Sequence, residues 1–121
     1  MKPDEFVNAI VESAYKGAIG SELSRLENPP GRQPRPELMR LSNWYLSLTP
    51  TERDLAQQLI RASADSAIFG FLALIDGVRT LDDRKSKIVV LVEGENVGVN
   101  GDLHEIFRSI VDEEEYPSIG E

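Results

Sequence analysis

Apolar residues in this chain recur mostly at helical spacing, and the period changes only once. Between Pro3 and about Leu26 they fall at Phe6, Val7, Ile10, Val11, Ala14, Ala18, Leu23 and Leu26, mostly three or four apart, which predicts a first amphipathic helix. Pro3 suits its first position, Asp4 and Glu5 suit the positive end of its dipole, and Gly17 and Gly20 weaken its middle. NPPGRQPRP, residues 28–36, holds four prolines and a glycine and predicts an extended linker. A second short helix follows over 37–48, with Leu38, Leu41, Tyr45 and Leu48 on one stripe and Trp44 beside it. Aromatic residues at that spacing read as core anchors before they read as a binding platform.

The strongest local signal is Thr49-Pro50-Thr51-Glu52. Thr49 can accept from the amide of Glu52, Glu52 can reach back to Thr49, and Pro50 needs no partner for an amide it lacks. A helix starts there, with an expected core stripe of Ala56, Ile60, Ala64, Ile68, Phe71 and Ile75. Whether residues 50–76 form one helix or two stays open, because Ser63, Asp65 and Ser66 could recap the chain. DSAIFGFLALIDGV, residues 65–78, is the most apolar run, with Asp65 and Asp76 near its ends. Eleven residues of helix put these two acids on one stripe but about 16 Å apart, too far to share one bond or one metal ion. Apolar residues on every side of the run predict a central buried helix, and Asp76-Gly77-Val78 predicts a left-handed glycine stop with Val78 folded back. The two acids are expected to bind backbone amides or an arginine.

At KIVVLVEGENVGVN, residues 87–100, the period becomes two and β-branched residues dominate, which predicts a β-hairpin turning at EGEN. DLHEIFRSIV, residues 102–111, restores helical spacing through Leu103, Ile106, Phe107, Ile110 and Val111, with Asp102 and Glu105 as a capping pair. His104 falls off that stripe, toward Arg108. The whole reads as α+β, mainly α: a single domain over 1–121, four to five helices around a central buried helix, one β-hairpin before the C-terminal helix, and an acidic, frayed tail over 113–121.

Charge sharpens this picture. The 121 residues carry a net charge of −8, and the imbalance sits at one end. Residues 1–81 hold 10 acids and 9 bases, whereas residues 82–121 hold 11 acids and 4 bases. Such a surface repels nucleic acid and anionic lipid and attracts basic proteins. With no cysteine, a disulfide, a thiolate metal site and a thiol nucleophile are excluded. The N-terminus lacks the apolar segment of a secretory signal, and the apolar run over 67–75 is half the length of a membrane span, so a cytoplasmic protein is expected.

Candidate chemistry is sparse. His104 is the only histidine, with no nucleophile motif beside it. EGENVGVNGD fails as a calcium loop, because the register from Asn96 puts Phe107 where a bidentate glutamate is required. The glycines at 94, 98 and 101 lack the Lys and Ser or Thr of a phosphate loop. No catalytic residue, metal or cofactor is therefore assigned.

Trp44-Tyr45, Leu48-Thr49-Pro50-Thr51-Glu52-Arg53, Asp65, Phe69-Gly70-Phe71-Leu72, Asp76-Gly77-Val78, Asn100 and Leu103-His104-Glu105-Ile106-Phe107 together resemble a group of small uncharacterised bacterial proteins. The resemblance covers about residues 44–107 and implies no function. In size and charge alone the chain is similar to the immunity proteins that neutralise bacterial toxins. The expected function is a non-catalytic protein-binding module, an immunity protein steering a basic toxin domain through Glu93, Glu95, Asp102, Glu105 and Asp112. The alternatives are a small enzyme using Asp65, Asp76 or His104, and a subunit of a homo-oligomer, a homodimer included.

Overall fold

The computed structural model describes residues 1–79, 81–82 and 87–115. Among the described residues it is built from four helices. The first runs without interruption over 3–27: an α segment Pro3–Ile10, a π turn Val11–Tyr15 and an α segment Lys16–Glu27. In the π turn the amide of Lys16 bonds the carbonyl of Val11, five residues back. Helical order there breaks ahead of Gly17, not at it. The second helix spans Pro36–Ser47, the long third helix Pro50–Ile75, and the last helix Leu103–Glu115.

The capping signal at Thr49 is realised in full. The Glu52 amide donates to Thr49 Oγ1 at 3.2 Å, and the Thr49 amide donates to Glu52 Oε1 at 2.8 Å. Those bonds hold the Glu52 carboxyl below its usual range. Thr49→Ala should cost about 1 kcal/mol in a urea melt; no change in midpoint would mean that the box contributes nothing to this start. From there the helix continues unbroken for 26 residues, about 39 Å, without recapping at Asp65. It ends as its sequence indicates. Gly77 adopts φ +83, its amide bonds the Leu74 carbonyl, and the Val78 amide bonds that of Ala73. The side chain of Val78 stays exposed, however, and makes no fold-back cover.

Two hydrophobic clusters are strung along the first and third helices. The larger joins Val7, Val11 and Tyr15 to Leu72 and Ile75, and to Val99, Leu103, Phe107 and Val111. The smaller joins Leu26, Tyr45 and Ala56, with Leu23, Leu48 and Ile60 packed against it. The second helix seals the smaller cluster with Leu38, Ser42 and Tyr45, while Leu41, expected in that stripe, faces solvent. Ser42 replaces it because its hydroxyl reaches the Leu26 carbonyl at 2.6 Å, satisfying a polar group inside the contact. Tyr45 is the core anchor, with its hydroxyl accepting from Gln57 Nε2 at 2.9 Å, and Trp44 stays half outside.

Two expectations are overturned. Among the described residues there is no β-strand, so the hairpin and the α+β class give way to an α-helical fold. Residues 87–100 still double back, and Ile88 and Val90 pack on the larger cluster. Among the described residues one backbone–backbone bond joins the two arms, from the Val99 amide to the Val90 carbonyl at 2.9 Å. Elsewhere Asn100 takes the ladder's partners: its Oδ1 accepts from the Val90 amide at 2.8 Å and its Nδ2 donates to the Ile88 carbonyl at 2.8 Å. Gly98 lets the arms close, since a Cβ there would lie 2.8 Å from Val89 Cγ1.

The long helix is also not wholly buried. Phe71 is 62% exposed, and Leu72 occupies the core position assigned to it. By length and composition alone this helix could cross a membrane; here it packs against the first and last helices. The last helix extends through Glu115, so 113–115 are helical, and residues 116–121 of the expected tail lie outside the described residues.

Candidate functional site

The long and last helices run antiparallel and are joined by a polar seam. At one end Arg108 makes a two-pronged bond to Asp65, Nη2 to Oδ1 at 2.6 Å and Nη1 to Oδ2 at 2.8 Å. Hydrogen bonding to Asp65 raises the Arg108 guanidinium above the ordinary arginine range. The same guanidinium lies 4.8 Å over the ring of Phe69. His104 makes an edge contact with the same ring at 5.8 Å. His104 then meets Asp76, with Nδ1 2.5 Å from Oδ2.

Asp76 is the centre of the seam. Its side chain is wholly inaccessible. Oδ1 accepts from the Gly101 amide at 2.6 Å and Oδ2 from the His104 amide at 2.8 Å, so the last helix is capped from outside by a residue of the long one. A carboxylate already accepting from two amides also accepts at the imidazole, so Nδ1 donates. Asn100 closes the corner by donating from Nδ2 to the carbonyl of Ile75 at 2.5 Å.

Asp65 and Asp76 thus bind an arginine and backbone amides, as their spacing indicated. His104 does not lie on the surface; it is 9% exposed and wedged between helices. An imidazole oriented by a carboxylate is one half of a general-base arrangement. The other half is access. Nε2 has Glu105 Oε1 at 3.9 Å, and neither of the two grooves described next reaches His104.

The five acids proposed to meet a partner do not gather at one place. Asp102 and Glu105 share a shallow groove with Asp4 and Asn8, where the first and last helices begin. Glu95 is brought to the same end through its ion pair with the amino terminus of Met1. Glu93 stands exposed at the turn before Gly94. Asp112 lies two turns further along the last helix, 3.5 Å from Arg108.

The second groove was not foreseen. It runs between the first, long and last helices, encloses about 1210 Å³, and is floored by Ile19, Leu55, Leu59 and Ala62. Leu55 is 59% and Leu59 67% exposed. At one rim Lys16 bridges Glu12 at 2.9 Å and Glu114 at 3.2 Å, and these bonds raise its ammonium above the usual lysine range. The sequence does carry its signal: Leu55, Leu59 and Ala62 form a second apolar stripe beside that of Ala56 and Ile60.

Comparison with protein-family models, curated protein sequences and solved structures finds no match to this chain.

Proposed function

We propose that this protein is a non-catalytic binding module whose partner is a basic protein. The observation that carries the reading is the concentration of acids in residues 82–121, with Glu93, Glu95, Asp102, Glu105 and Asp112 exposed and Asp102, Glu105 and Asp4 converging at one end. Like charges held together on a rigid surface steer an oppositely charged partner. The finer form of the proposal is an immunity protein covering a basic toxin domain in a bacterial cytoplasm; it rests on size and net charge. A small enzyme using Asp76 and His104 is the second reading, favoured by their 2.5 Å contact and opposed by an imidazole only 11% accessible.

Glu93 and Glu105 are the acids to reverse, because both are exposed, whereas Glu95 is tied to the amino terminus. With a basic partner isolated from the source cells and purified, Glu93→Lys with Glu105→Lys should slow association by roughly tenfold at low salt and leave dissociation nearly unchanged. Wild-type association should also slow as salt rises. An on-rate indifferent to both salt and reversal would leave the acids as a solubility feature.

A further inference from the structure

The last helix has 13 residues against 26 in the long one. Running antiparallel from His104 at Asp76 to Arg108 at Asp65, it covers the C-terminal half of the long helix, and its last two turns, with Asp112 and Glu114, form only a rim of the groove. The N-terminal half presents Leu55, Leu59 and Ala62 to the open groove, beside Ile19 and Gly20 of the first helix. A Cβ on Gly20 would meet nothing within 4 Å, and Leu55 and Leu59 are mostly exposed, so the face is open at Gly20 and at both leucines.

The charges on that face are of both signs. Asp54 and Arg61 are seven residues apart on the same side of the long helix and both line the groove. Asp54 bonds only Gln58 of its own helix, at 2.7 Å, and Arg61 has no ion pair among the described residues. A basic partner would meet Arg61 and Lys16 there. A second copy of the same face, turned by a twofold axis, would not: in an antiparallel pair crossing near residue 58, Asp54 of one copy lies beside Arg61 of the other, twice over. The leucines then face each other at the centre.

We infer that this face is the interface of a homodimer, in which the first and long helices of two copies form a four-helix layer around Leu55 and Leu59. It is centred away from the end where Asp102, Glu105 and Asp4 converge, with only Asp112 of the five partner acids on its rim, and does not depend on that assignment.

Sedimentation equilibrium of the full chain from low to high micromolar concentration tests it. Wild type should populate a dimer. Leu59→Asp should be monomeric throughout with its thermal melt nearly unchanged, since the side chain is mostly in water within one copy. Asp54→Arg and Arg61→Asp should each weaken the dimer by roughly tenfold or more, because each places like charges opposite one another at two symmetric points. Combining the two substitutions should restore it. A wild-type chain that is monomeric at every concentration, a dimer that survives Leu59→Asp, or a double variant no tighter than the single ones would each overturn the inference.

Discussion

Asp76→Ala should destabilise the fold by about 4 kcal/mol, because it strips the partner from two amides and an imidazole at a carboxylate that is itself closed to solvent. All three donors converge on one inaccessible carboxylate. The loss reaches beyond three bonds, since the same residue ends the long helix and caps the start of the last one. Asp76→Asn keeps one acceptor oxygen and replaces the other with a donor, so it should recover no more than about half of the loss. Urea melts would show both as lower midpoints with slopes near that of the wild type. A midpoint for Asp76→Ala within about 1 kcal/mol of wild type would mean that the seam does not hold these helices together.

The second large effect is a contrast between two phenylalanines. Phe107 is fully buried in the larger cluster, edge-on to Tyr15 at 5.6 Å. Phe107→Ala should cost about 3–5 kcal/mol through lost transfer energy and the cavity left behind. Phe71→Ala should cost less than about 1 kcal/mol, because most of that ring is already in water. The reverse order in a denaturant melt would put the buried face of the long helix one residue away from where it lies here.

That one-residue difference shows where sequence reasoning reached its limit. Ala56, Ile60, Ala64 and Ile68 are spaced by four, and each step turns about 40° around the helix. The expected stripe corrected this drift by stepping three to Phe71. The fold keeps drifting to Leu72, because the long helix changes neighbours along its length, from the second helix at Ala56 to the last helix at Leu72. Nothing local records a change of neighbour. What was local was legible: the box at Thr49, the glycine stop at Gly77, and the helical spacing of the last helix. The hairpin failed for the opposite reason, since its alternating pattern is real but the side chain of Asn100 competes for the amide and carbonyl that a ladder needs. The burial of His104, off the apolar stripe of its own helix, was not legible because its partner is 28 residues away in sequence.

The π turn in the first helix answers the same drift by other means. Val7, Val11, Tyr15, Ile19 and Leu23 are also spaced by four, and in a straight α-helix they would wind about 160° around it. One surplus residue between Val11 and Tyr15 winds the phase back by about a quarter-turn. The helix thereby behaves as two rulers joined end to end, both laid on the larger cluster, through Val7 and Val11 before the joint and Tyr15 and Ile19 after it, and the second reaches on to the smaller cluster at Leu23 and Leu26. The two clusters meet on this helix between Ile19 and Leu23, and hydrogen exchange should find the step in protection there if the two ends of the molecule open as separate cooperative units.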